Sequence, residues 1–289
     1  FFVVAAFSLL KPLKNAVFFG LVGRDLQPYA KWVTIAFTPL LMPLYSKLVD
    51  VMRRYQLLFV CTMTYAVACL FFAIVLSDPT YGLPNAEMSS NRLLGWAFYL
   101  LIDFFPIFIV STFWAFSSSI SSPESAKHNY GLIVAASKLS GIISPLIGLA
   151  LVHQSGLGKV TSISASLLLT SVFLAIAALA ILRLIKQVPG KYLHGYEAVY
   201  EIEKQREREH APKTGIWQGF KLMLTEPYVF GIFGMVYSYE IISGIIDYQK
   251  DYMASVMYNN EVSAMFSFNL IYTACWQALG FFFAIFGTS

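Results

Sequence analysis

The sequence predicts an all-α polytopic membrane protein, and three observations carry that expectation. Hydrophobic residues make up 57% of the chain and charged residues only 12%, with a mean hydropathy of +0.64; soluble domains carry about 25% charged residues. Several uninterrupted apolar runs exceed the roughly 18 residues that mark a spanning helix. Lys and Arg fall unevenly on alternate loops between those runs. The pI near 8.8 then reflects basic loops, not a nucleic-acid surface.

Eight spans are expected, at 1–21, 30–49, 57–77, 93–117, 129–152, 160–185, 227–249 and 262–285. The first contains Lys11 and Lys14, three residues apart and so on nearly one face of a helix. Lys11 follows ten residues, a rise of roughly 15 Å, about half the hydrocarbon thickness. A lysine at that depth costs roughly 2.5–3.5 kcal/mol unless it faces protein, water or a partner. The pair therefore points inward to an anion site, or else snorkels from a marginal helix. The second span carries Pro39 and Pro43, four apart, where a kink or a weak backbone ladder is expected. The fourth holds Asp103 at its middle and ends in a serine-rich turn, Ser117 to Ser122. The fifth holds Lys138, then Gly141, Pro145 and Gly148, small or kinking residues that admit close helix approach. The sixth has no charge until Arg183.

The loops after spans 2, 4 and 6, with their flanks, hold twelve basic residues: Lys47, Arg53, Arg54, Lys127, Arg183, Lys186, Lys191, Lys204, Arg206, Arg208, Lys213 and Lys221. Those after spans 1, 3 and 5 hold four: Arg24, Lys31, Arg92 and Lys159. The even loops and the N-terminus are expected on the cytoplasmic side, in a bacterial inner membrane or an organelle envelope. Phe1 is not Met and the chain stops inside an apolar run, so it reads as a piece of a longer protein.

Three domains follow from the layout: a six-helix bundle over 1–186, a charged link over 187–226, and the start of a second bundle over 227–289. The link runs through Glu197 to Glu209 with mixed charges, a pattern of solvated surface helix, and Trp217, Phe220 and Leu224 form an apolar stripe suited to the interface. Six helices, a charged link and more helices is the plan of a two-halved secondary transporter.

No P-loop, nucleophile elbow or kinase signature is present, so the chain does not read as an enzyme. The four His are scattered without ligand spacing, and Cys61, Cys69 and Cys275 make no C-x-x-C pair; no metal or cofactor is expected. The ionisable residues away from helix ends are Lys11, Lys14, Asp103, Lys138 and Glu240, with Asp247 and Lys250 near the end of span 7. Each could be a structural charge paired across a helix interface; together they suggest a hydrated path. Converging lysines favour a multiply charged anion, because lysine holds phosphate as a mobile point charge. Carboxylates would balance those lysines in an empty site, or carry a coupling proton. A base could stack on Phe104, Phe105, Phe108, Phe113 or Trp114, although membrane helices are rich in Phe in any case.

Leu10-Lys11-Pro12-Leu13-Lys14-Asn15-Ala16-Val17 resembles the first-helix motif Leu-Arg-Asp-Thr-Lys-Asp-Thr-Leu of the non-mitochondrial ATP/ADP translocases of plastids and intracellular bacteria. Phe113-Trp114-Ala115-Phe116 and Ser125-Ala126-Lys127-His128-Asn129-Tyr130 are similar to that family's Phe-Trp-Gly-Phe and Glu-Ala-Lys-Arg-Phe-Tyr. Ile245-Ile246-Asp247-Tyr248-Gln249-Lys250 resembles its Leu-Val-Glu-Val-Thr-Trp-Lys, one residue shorter. The resemblance implies a major-facilitator-like bundle of twelve helices, eight of them here. It also implies nucleotide binding by basic residues of the first helix. Lys11 stands for an Arg, Asn15 for an acidic residue and Lys138 for an Asn; Asp103 and Asp247 sit one position from the family's Glu residues.

Three readings result. The first is a nucleotide exchanger in the bilayer working by alternating access. Its substrate-binding residues are Lys11, Lys14, Asn15, Lys138, Asp103 and Asp247, with Glu240, Lys250 and Asp103 for coupling or gating. The second is proton-coupled transport of another organic or phosphorylated anion. The third is a membrane scaffold whose charged link binds a partner.

Overall fold

The computed structural model describes residues 1–85, 87–120, 123–153, 159–187 and 224–286. Among them are nine α-helices: α1 (Phe2–Leu21), α2 (Gln27–Val51), α3 (Arg54–Val75), α4 (Leu93–Asp103), α5 (Ser111–Ile120), α6 (Pro123–His153), α7 (Lys159–Gln187), α8 (Pro227–Met257) and α9 (Val262–Phe286). No strand occurs among the described residues. Seven stretches are long and apolar enough to cross a membrane: Phe2–Leu21, Arg24–Val49, Arg54–Val75, Leu93–Ser117, Ile133–His153, Val160–Gln187 and Pro227–Met257. The eighth expected span is the 25-residue helix α9. The chain is an integral multi-pass membrane protein.

The chain separates into two compact units, residues 1–187 with 254–289, and residues 188–253. In the first, α1 is the central rod. It is apolar around most of its circumference, and such a helix is buried on all sides; from Ser8 to Leu21 only Lys11 and Gly20 are not buried. It touches α4, α6, α7 and α9. Helix α3 lies along α7, tied by Ser171 Oγ donating to the Ala66 carbonyl at 2.8 Å and by the Ser77 and Ser164 hydroxyls 2.6 Å apart. Such hydroxyl bonds join helices where burial of apolar surface supplies little drive.

Helices α6 and α9 run antiparallel, and glycines set their approach. A Cβ at Gly148 would come within 2.8 Å of Leu9 Cδ2 and 3.2 Å of Leu270 Cδ1, and one at Gly141 within 2.7 Å of Gln277 Cγ. At Gly280 the nearest atom is the mobile Lys138 Nζ, at 3.1 Å. Gly148→Ala is therefore expected to cost about 1–3 kcal/mol by overpacking, and Gly280→Ala much less, because a lysine tip can move aside. Thermal unfolding of the two variants in detergent checks the order.

Helix α2 continues through Pro39 and Pro43 without interruption. Each proline removes a donor, so the carbonyls four residues earlier, of Ile35 and Pro39, lose their helical partners. The expected span over 93–117 is not one regular helix. Pro106 supplies no N–H to the Ile102 carbonyl and crowds it; α4 ends at Asp103, Phe104 turns, and Pro106–Val110 is wound as a π-helix before α5. The Leu101 carbonyl at this break accepts the Tyr65 hydroxyl at 3.0 Å.

The loop from α3 to α4 closes on one guanidinium. Arg92 Nη1 donates to the carbonyls of Asn85 (3.0 Å) and Glu87 (3.1 Å), and Nη2 to those of Tyr81 (2.6 Å) and Gly82 (2.5 Å). Asp78 accepts from the Thr80 hydroxyl and from the Thr80 and Tyr81 amides, which holds its carboxyl below the usual carboxylate range. Arg92→Ala removes four bonds at once, though water can reach most of the freed carbonyls, and is expected to cost about 1–2 kcal/mol, read as a lowered unfolding midpoint.

The second unit is described from Leu224 onward and consists mainly of α8 up to Met253. The apolar window of that helix is exposed along its length. Helix α8 runs two turns beyond the expected end at 249, and Asn259 and Asn260, both at positive φ (50° and 58°), follow its C-terminus. Asn tolerates the left-handed region better than other side-chain-bearing residues. The charged link over 187–226, with Trp217 and Phe220, lies almost wholly outside the described residues, as do Ser121 and Ser122 of the serine-rich turn.

Candidate functional site

Two helix ends meet in the first unit. The Ser89 amide bonds the Leu21 carbonyl at 3.1 Å, and Gly95 packs against Leu21 and Val22. The end of α1 and the start of α4 are thereby level. From there Lys14 lies seven residues back along α1 and Asp103 ten residues along α4, depths of roughly 10 and 15 Å at 1.5 Å per residue.

Lys14 Nζ is 2.6 Å from Asp103 Oδ1, and the two side chains are 11% and 8% exposed. This is a short, charge-assisted bond inside the helix bundle. The same ammonium lies 4.6 Å from the centre of the Tyr99 ring. Tyr99 is one turn before Asp103, so both sit on one face of α4, and ring and carboxylate flank the lysine together. The other oxygen of Asp103 is also taken: Lys31 Nζ of α2 is 3.1 Å from Oδ2 and 3.4 Å from Oδ1. Lys31 remains 56% exposed. One carboxylate thus faces two ammonium groups from two helices, one enclosed and one open.

The other predicted site residues are distributed. Lys11 is exposed and Asn15 buried on α1. Lys138 is half-buried along α9 at Gly280. Glu240 is exposed on α8. Asp247 and Lys250 belong to the second unit, where Lys250 Nζ lies 3.9 Å from Asp247 Oδ1 and 3.0 Å from Asp251 Oδ1, the Asp251 side chain being 1% exposed. Of the aromatics, Phe105 is stacked on Phe7 at 5.3 Å and edge-on to Tyr65, fully buried and closed to a base, whereas Trp114 lies edge-on to Phe113 and is 36% exposed.

Sequence reasoning missed Lys31, Tyr99 and Asp251. Lys31 was grouped with the loop flanks, although a cation one turn inside an apolar helix can reach inward as well as out. Tyr99 had a usable signal, four residues before an intramembrane acid. Asp251 was hidden by ending span 7 too early; Asn259-Asn260 marks the true end.

A curated relative, ADP,ATP carrier protein 1 of Rickettsia bellii (strain RML369-C), is 21% identical over 268 residues, which is 86% of this chain and 53% of the carrier. The chain thus spans about half the length of the curated relative it matches. No solved structure matches. Residues 1–287 match the family described as TLC ATP/ADP transporter. With the match covering nearly the whole chain, and the helical membrane architecture in agreement with it, the chain belongs to the TLC ATP/ADP transporter family.

Proposed function

We propose that this chain is part of a secondary transporter that exchanges nucleotides of the ATP/ADP type by alternating access, and that intramembrane lysines hold the phosphates. The observation that carries the reading is the Lys14–Asp103 pair, a 2.6 Å ion pair enclosed within the helix bundle of a chain with this family membership. Burying an ion pair is a poor way to gain stability, since its desolvation offsets most of its attraction. Its presence among membrane-spanning helices suits a group that must receive an anion. Asp103 balances Lys14 while the site is empty; a polyphosphate competes for the ammonium and sets the pair apart. With two lysines against one carboxylate the empty group of Lys14, Lys31 and Asp103 keeps one net positive charge and crosses between states poorly; a bound polyanion lifts that barrier, which gives exchange rather than net flow.

Lys11 and Lys138 extend the basic lining of the path and Asn15 adds a neutral polar group; on α8, Asp247, 3.9 Å from Lys250, is a further substrate-binding residue, with Glu240 and Lys250 for coupling or gating. The two-halved plan, 1–186, 187–226 and 227–289, fits this mechanism, as does a cytoplasmic N-terminus with cytoplasmic loops after spans 2, 4 and 6. The test is counterflow of radiolabelled ATP against internal ADP, with the full-length protein in vesicles. Uptake that needs a pH gradient and no internal nucleotide would replace exchange by proton coupling. Absence of both activities would remove the reading altogether.

A further inference from the structure

A lysine on the second turn of a spanning helix has an easy place to go. Lys31 is four residues past Gln27, a rise of roughly 6 Å, and its stem reaches the polar interface by snorkelling. It points inward instead, to Asp103. That carboxylate is already neutralised by Lys14 at the shorter distance, 2.6 Å against 3.1 Å. Lys31 is therefore the surplus cation of the group. Two ammoniums against one carboxylate leave one positive charge uncompensated by Asp103, and Lys31 is the more exposed of the two. Exposed ion pairs hold weakly, so this is the bond that an arriving anion breaks first.

We propose that Lys31 is a phosphate-binding residue of the transport site: it leaves Asp103 and takes a terminal phosphate oxygen of the guest, drawing α2 toward the ligand. This rests on the anion-site reading above and adds a residue that discriminates by phosphate number. Lys14, enclosed against Tyr99, meets the part of the polyphosphate that every guest shares; Lys31, open and movable, meets the outermost phosphate. The chemistry is exchange of one anionic oxygen partner for another, with no covalent step.

The experiment uses Lys31→Gln, Lys31→Arg and Tyr45→Phe in full-length protein in vesicles, with unlabelled ATP, ADP and AMP competing for labelled ATP counterflow. Tyr45→Phe removes another tie of α2, the Tyr45–Thr112 hydroxyl contact at 3.0 Å, and controls for loosening of that helix. Lys31→Gln is expected to weaken ATP competition roughly tenfold, as for loss of one charge-assisted bond, with AMP little changed. Lys31→Arg retains most of the ATP preference, and Tyr45→Phe leaves the ATP-to-AMP ratio as in wild type. An unchanged ratio in Lys31→Gln overturns the proposal, and is the result expected if Lys31 served only a lipid headgroup. Recovery of ATP competition in Asp103→Asn/Lys31→Gln also overturns it, since Lys31 would then merely neutralise Asp103. Should wild type show no ATP counterflow, stabilisation of the purified protein by pyrophosphate is read instead. Loss of that stabilisation in Lys31→Gln supports a phosphate ligand role with another guest; an equal response in both proteins rejects it.

Discussion

Lys14→Ala is expected to abolish nucleotide counterflow, by roughly a hundredfold or more if two phosphate contacts are lost, while the protein stays folded. Both halves of that outcome come from the shared carboxylate. Removing Lys14 deletes the enclosed cation nearest to Asp103, but Asp103 keeps Lys31 at 3.1 Å and is not left as a lone buried charge. What is lost is the enclosed ammonium that meets the part of the polyphosphate every guest shares, and Lys31, left to balance Asp103 alone, does not replace it. Counterflow and thermal unfolding, measured on the same preparation, separate the two effects. Normal counterflow in this variant would remove Lys14 from the site.

Asp103→Ala is expected to behave in the opposite way and to damage the fold first. Lys31 is open and returns to solvent, but Lys14 is enclosed and retains only the face of Tyr99. Stranding one member of a buried pair costs about 3–5 kcal/mol, a large share of the stability of most proteins. Lys14→Met/Asp103→Leu removes both charges with similar volume, so its unfolding midpoint should return to near the wild-type value without any return of transport. If Asp103→Ala were as stable as wild type, the Lys14 ammonium would have to be hydrated from another direction.

The spans could be read from the sequence because lipid allows few ways to satisfy a backbone, and long apolar runs have one reading. Lys14 and Asp103 stood out for the same reason: a charge in such a run is costly and conspicuous. Their pairing was less legible. Whether residues 14 and 103 meet depends on how α1 and α4 are rotated, and periodicity is weak in helices that are apolar almost all round. Lys11 shows the limit, since its three-residue spacing from Lys14 did not predict that one would be exposed and the other enclosed. Lys31 fell to a convention, because basic residues near helix ends are counted toward topology before they are considered as ligands. The break after Asp103 could have been read from Pro106 alone.

The double occupancy of Asp103 also bears on sodium. A dehydrated sodium ion needs several oxygen ligands arranged around it, and an acidic residue at membrane depth is a common contributor. Here each oxygen of Asp103 already accepts an ammonium, and two positive charges that close to the carboxylate repel a metal cation while both lysines are in place. Asp103 is therefore a poor ligand for a sodium ion until at least one of the two lysines has moved away.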